Sequence, residues 1–331
     1  MRHAALRLAS LAAIIAAAPL ATTFAAQSQP ASNWKPERPV EFVVQASAGG
    51  GSDIFARSIA KILAEEKIVT TPINVVNKPG GSGAVAYSYL NQKKGDPHVI
   101  ATATGSYITT PVQGHSPVSY KNFTNAAILC VEDYVGVVRA DSPYKSLKDL
   151  IAAAKQKPNG IRVGGSGPAG SDAIIENRLE KAAKVQLNLI VFQSGGEVNA
   201  ALLGGTVDFA SPNPSEATQL VKAGRLRPIA MFSPERLASW KDVPTAKEQG
   251  VDVTLDQFRA VVAAGGLTKD QALFWESAMV KLSQSAGWKK YLQDNGLRPL
   301  LKTGSDADKY LAEQTAFYTE ILTELGMVKK K

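Results

Sequence analysis

Four stretches of this sequence combine glycine, hydroxyl and acidic residues at the entry to a helical pattern: SAGGGSD (Ser47 to Asp53), NKPGGSGA (Asn77 to Ala84), GGSGPAGSD (Gly164 to Asp172) and QSGGE (Gln193 to Glu197). Each follows a short apolar run that reads as a strand. In a parallel sheet such loops all lie at the carboxyl ends of the strands, where the first helical turn leaves amides unpaired and the helix dipole is positive. Glycine lets those amides approach a ligand closely. The chemistry is anion capture. One helix start gains only ~0.3 to 1 kcal/mol from an exposed anion and ~2 kcal/mol from a partly buried one, so several loops must converge. Glycine in a strand-to-helix loop also has a purely steric explanation. The hydroxyls of Ser47, Ser52, Ser166 and Ser171, in loops of two separate units, favour a ligand held between them. The expected ligand residues are Ser47, Gly49, Gly50, Gly51, Ser52 and Asp53 from the first loop, and Ser166, Gly167, Ala169, Gly170, Ser171 and Asp172 from the third. Asp53 could instead serve the first turn of its own helix, and that structural role is the favoured one.

Other chemistries lack material. The chain has one Cys and three His, and His3 falls in a segment expected to be removed, so zinc sites and disulfide frameworks are excluded and no cofactor is expected. GSGPAG (Gly165 to Gly170) fits G-x-G-x-x-G, but the next strand ends in Phe192 and Gln193 where a ribose-binding acid would stand. No phosphate loop of the nucleotide-hydrolase type occurs, and neither Ser82 nor Ser166 has the G-x-S-x-G frame. His98 and His115 lie in no nucleophile motif. A serine-dependent hydrolase is the weakest reading, and no enzyme is expected.

The chain has 331 residues and is 45% hydrophobic, enough for two domains with substantial cores that can position these loops. Residues 1–26 have a basic start, an apolar run from Leu8 to Leu20 and small residues after it, the pattern of a cleaved signal peptide and hence of an extracytoplasmic protein. The formal charge of +8 is scattered among acids, and loss of Arg2 and Arg7 lowers it by two. Nucleic-acid binding is not expected. From residue 40, β-branched runs alternate with helical patterns, the signature of an α/β fold with mostly parallel sheets. Ala127 to Val138 reads as one or two strands around an acidic turn at Glu132 and Asp133, with Cys130 buried in a strand. Ser146 reads as a helix cap, followed by a Pro-Asn-Gly stop at Pro158 to Gly160. After Val253 the pattern is helical, with little strand of its own, so the last block should cross back onto the first domain. The expected division is 33–140 plus 257–331 for domain 1 and 141–256 for domain 2, with linkers near Arg139 to Ser142 and Val253 to Phe258.

An ordered set of segments then resembles the receptors of tripartite tricarboxylate transporters, the TctC or Bug family. The segments are VVQASAGGGSD, VNKPGGSGAVA, SLKDLIAAAKQKPNGIRVGGSG, LLGGTVDFA and KAGRLRPIAMFSPERLASWKDVPTAKEQG, with Trp34 and Pro39 ahead of the first strand. The resemblance implies a two-lobed periplasmic binding protein of the Venus-flytrap type, a monomer that closes on a carboxylated small molecule and presents it to the membrane permease subunits. It also implies ligand contacts within Thr104 to Tyr107, at Thr104, Gly105 and Ser106, and, after LLGGTVDFA, within Ser211 to Ser215, at Asn213. A ligand-binding subunit of a periplasmic sensor is the alternative from another class. Gln45 replaces an expected Pro, FQSGG replaces a V-P-Y-K-G-like stretch, no His follows Ser171, and SPNPS lacks the Asp common near Pro212. Loss of a tyrosine and an acid from the cleft would favour di- or tricarboxylates over amino acids.

Overall fold

The computed structural model describes residues 32–167 and 170–328, so the expected leader and Ala169 lie outside the described residues. Strands β1 (Val40–Val44), β2 (Ile73–Asn77) and β3 (Val99–Ala103) form a parallel trio. Helices α1 (Gly51–Glu65) and α2 (Ala84–Gln92) connect them, and a short helix α3 (Ser106–Val112) follows β3. Strand β4 (Thr124–Asp133) then runs into β5 (Val135–Arg139) with Tyr134 alone between them. From there the chain builds α4 (Leu147–Gln156), β6 (Arg162–Gly165), α5 (Ser171–Ala183), β7 (Asn188–Val191), α6 (Gly195–Leu203), β8 (Phe209–Ala210), α7 (Pro214–Lys222) and β9 (Leu226–Met231). It returns through β10 (Asp256–Ala263), α8 (Lys269–Gln284), α9 (Ala286–Asn295), β11 (Arg298–Lys302) and α10 (Gly304–Glu324).

Two sheets result, with strand orders β11-β4-β10-β3-β1-β2 and β7-β6-β8-β5-β9. The α/β class with two sheets and flanking helices agrees with the sequence reading. Both sheets are mixed, however: β10 runs against β3 and β4, and β5 runs against β8 and β9. The reason is topological. The other strands of the sheet interiors run toward the cleft between the sheets, so a strand arriving from the opposite sheet must run away from it.

Three local expectations are corrected. Glu132 and Asp133 are not a turn; they continue β4 and are buried, because their partners across the sheet are Gln257 and Asp256 of β10. The chain therefore passes to the second sheet at Tyr134, ahead of the linker expected at Arg139 to Ser142. The last block is not purely helical either, since β11 adds an edge to the first sheet by pairing with β4. Its sequence, RPLLK, is too short and mixed to announce a strand.

Other signals act as read. Ser146 caps α4, its hydroxyl accepting from Asp149 N at 3.2 Å, and Asn159 takes the left-handed φ of +56° that ends the segment. In α1, Phe55, Ile59, Ile62 and Leu63 lie on the buried face. Trp275 of α8 is fully buried against the first sheet, and its indole N–H donates to Pro97 O at 2.9 Å. Trp275→Ala should therefore cost ~3–5 kcal/mol, read as a lower urea midpoint. A loss under ~1 kcal/mol would show that α8 does not anchor this core.

Candidate binding site

The carboxyl ends of the parallel strands face one another across a cavity of about 90 Å³. At ~10–15 Å³ per enclosed water on that scale, it has room for a handful of waters or one compact organic acid. Its wall contains Gly50, Gly51 and Ser52 from the α1 start, Thr104 and Ser106 after β3, and Asn213 ahead of α7. Ser166, Gly167, Gly170, Ser171 and Asp172 line it as well. Ser47, Gly49, Asp53 and Gly105 do not line it. Gly105 is buried beside Ser171 and Tyr318, with no room there for a Cβ. Sequence reasoning missed Tyr134, Glu216, Gln257 and Arg259 on the same wall, whereas Ser194 and Ser211 lie in the marked segments Gln193 to Glu197 and Ser211 to Ser215 without having been singled out. Ser211 is notable because its hydroxyl is buried with no protein partner among the described residues.

Gln45, the departure from the expected Pro, acts as a brace at the end of β1. Its Nε2 donates to Ser52 Oγ at 2.8 Å and Thr104 Oγ1 at 3.3 Å, while its Oε1 accepts from Thr102. It thereby orients two hydroxyls that face the cavity.

The loop amides are paired differently from the sequence expectation. Asp53 accepts from Gly49 N at 3.0 Å, Arg57 Nε at 2.9 Å and Asn77 Nδ2 at 3.0 Å, so its carboxylate serves its own loop rather than a ligand. Burial would raise its pKa, but these bonds outweigh it and hold the carboxyl below its usual range. Asp172 accepts from Ser166 N at 2.5 Å and Ala173 N at 3.0 Å, and burial pushes it up despite those bonds. Glu197 takes Gln193 N at 3.0 Å. Glu216 of α7 takes Gly51 N of α1 at 2.5 Å and Asn213 N at 3.3 Å. Burial pushes Glu216 up to about 7, against the pull of the Gly51 amide and Arg259. The acid that seemed missing near Pro212 is thus present one turn later, and its supposed absence no longer argues against amino-acid ligands.

One wall residue, Arg259, belongs to a buried ion pair. Arg259 of β10 donates through Nε to Glu132 of β4 at 2.5 Å, and Glu132 also accepts from Ser215 Oγ at 2.5 Å. Both charged side chains are essentially inaccessible. Burial would lower the arginine pKa, yet Glu132 together with Tyr291, Cys130 and Glu216 more than offsets that, so Arg259 stays charged. Asn213 Oδ1 accepts from Arg259 Nη2 at 3.1 Å and Gln257 Nε2 at 2.7 Å, tying α7 to the first sheet. The sequence signal was an arginine inside the apolar run QFRAVVAA and an acid closing AAILCVED, each out of place unless paired with the other.

Two outcomes follow from this electrostatics. Arg259→Met should cost ~3–5 kcal/mol by leaving Glu132 buried and unpaired, whereas adding Glu132→Gln should restore much of it. Urea unfolding of both variants tests this, and equal losses would mean that no uncompensated charge is created. Glu176 of α5 is buried with both carboxyl oxygens unpartnered, and burial, followed by Asp172 and Glu180, pushes its pKa well above 4.5. The folded state therefore holds a proton that the unfolded chain releases, so this group costs stability as pH rises above about 4.5 toward its folded pKa. Glu176→Gln should unfold at higher urea than the native protein at about pH 8 and show little difference near pH 4. A difference independent of pH would assign Glu176 a purely steric role.

Residues 55–327 match the family model for the tripartite tricarboxylate transporter family receptor, TctC. A UPF0065 protein in the gbd 5' region of Cupriavidus necator is 28% identical over 319 residues, covering 95% of this chain and 96% of that relative. The periplasmic binding protein BugD has the same fold, with a TM-score of 0.84 at 21% identity over 89% of this chain and 100% of its own. MatC of Rhodopseudomonas palustris, solved with bound malate, gives 0.79 at 22% identity over 87% of this chain and 99% of its own. With the match running from α1 past the end of α10 and the polar cleft between its two sheets, the chain belongs to the tripartite tricarboxylate transporter receptor family and is a solute-binding protein rather than an enzyme.

Proposed function

We propose that the protein captures a compact organic acid, through at least one carboxylate, in the cavity between its sheets and delivers it to the membrane subunits of a tripartite tricarboxylate transporter. The observation that carries the reading is the cavity wall itself, where Ser52, Thr104 and Ser106 face Ser166, Ser171, Ser194 and Ser211 across the gap. Hydroxyls donate to a carboxylate from either side without adding a net charge that would have to be buried. The helix starts at Gly51, Ser171 and Gly195 add their positive ends. Malate in the related MatC structure supports a carboxylated solute of this size.

Capture works by closure. The two sheets are joined by Tyr134 and by the segment between β9 and β10, and rotation there would open the cleft. A solute touching both walls favours the closed state through contacts that the open state lacks. The domains would then be 33–133 plus 256–328 and 135–231, and the leader in residues 1–26 would direct export to the periplasm. Among the described residues, no helix is long and apolar enough to cross a membrane.

A thermal-shift screen of mono-, di-, tri- and aromatic carboxylates tests the reading, since a solute at 100 times its Kd stabilises the folded state by ~2.7 kcal/mol. No shift with any carboxylate would count against it. Gly50→Leu is the matching substitution. Gly50 has ordinary backbone angles of φ −81° and ψ 166°, so leucine is tolerated locally. A Cβ there would stand 3.2 Å from Ser194 Cβ on the opposite wall and obstruct closure. Calorimetry should show at least a tenfold weaker solute, ~1.4 kcal/mol, with an unchanged circular dichroism spectrum.

A further inference from the structure

The place assigned by sequence to a solute carboxylate, the amide at the start of α1, is already occupied by a carboxyl of the protein. Glu216 reaches across from α7 to accept from Gly51 N at 2.5 Å, and its other oxygen accepts from Asn213 N at 3.3 Å. A Cβ on Gly195 at the start of α6 would run into this carboxyl, so a third helix start faces it as well. The Arg259 guanidinium lies against Gly51 beside the same carboxyl, since a Cβ on Gly51 would meet both groups. Three positive helix ends and an arginine thus converge on a group belonging to the second sheet's half, at a contact with the first. An anion gains more from such a convergence than from any one helix end.

We propose that Glu216 is an internal ligand of the first half: it holds the cleft closed when no solute is bound, and a solute carboxylate reaches the Gly51 amide only by displacing it. The inference rests on the proposed carboxylate capture for its second clause alone. The first concerns the unliganded protein. Under this assignment Glu216 also limits selectivity, because a solute with one carboxylate can use the hydroxyls of the opposite wall, whereas a second carboxylate competes with a group tethered in place.

The test compares native protein, Glu216→Ala and Glu216→Gln without solute by small-angle X-ray scattering, then titrates each with malate by calorimetry. The expected result is a larger radius of gyration for Glu216→Ala, an intermediate value for Glu216→Gln, and malate binding at least about fivefold tighter in Glu216→Ala, the low end of typical coupling between sites. Identical radii for native protein and both variants would overturn the proposal, as would weaker malate binding in Glu216→Ala, which would make Glu216 a direct solute contact. Should Glu216→Ala fail to fold, Glu216→Gln keeps the side-chain volume and decides by the same scattering comparison. If none of the three proteins binds malate while the radii still differ, the carboxylate reading loses support and the internal-ligand assignment stands.

Discussion

A helix that starts at the wall of a cleft presents amides that need a partner, and the architecture of this site follows from how the amides of its loops are paired. An unpaired buried N–H costs ~1–3 kcal/mol, whereas a solute anion at one helix start gains at most ~2 kcal/mol. A folded state that waited for its solute would be penalised wherever the amide is buried, as at Gly51 and Asn213. This chain meets the demand with its own acids. Asp53, Asp172, Glu197 and Glu216 each stand at the second or third position of a helix and accept from an amide of the loop just before it. Beside Arg259 and Gln257, what remains for the solute is a row of hydroxyls, groups that tolerate either an anion or water.

The Arg259–Glu132 pair plays the complementary part. A buried pair is weak evidence for stability, because its desolvation cost can match its attraction. Its value here is positional. Glu132 holds Ser215 at the start of α7, and Arg259 with Gln257 holds Asn213, so the first sheet dictates where the second sheet's helix begins. Asn213, expected as a ligand contact, thereby has a further role in joining the halves.

Strand direction explains why these residues meet at all. β4 runs toward the cleft and, after a single residue, becomes β5 running away from it. β10 returns in the same sense as β5, away from the cleft, and so lies antiparallel between β3 and β4. Polar residues at the cleft ends of β4 and β10 are therefore brought to a common depth, 127 positions apart in sequence for Glu132 and Arg259.

Much of this was legible in the amino-acid order. The alternation of β-branched runs with helical patterns, the glycine loops ahead of helices, the Ser146 cap and the turn at Asn159 are local effects, set by sterics and hydrogen bonding within a few residues. The ordered segments shared with the TctC family lie within that same order. What the loops do with their amides was not legible, since an acid at a helix start reads identically whether it faces its own backbone or a ligand. Nor was the reversal of β5 and β10, the edge strand β11, or the meeting of Glu216 with Gly51. The sequence alone determined the α/β elements and the loops that could hold an anion. Only the tertiary structure decided which carboxyls already sit there, because that depends on contacts between distant residues whose burial is set by the packing of the whole chain.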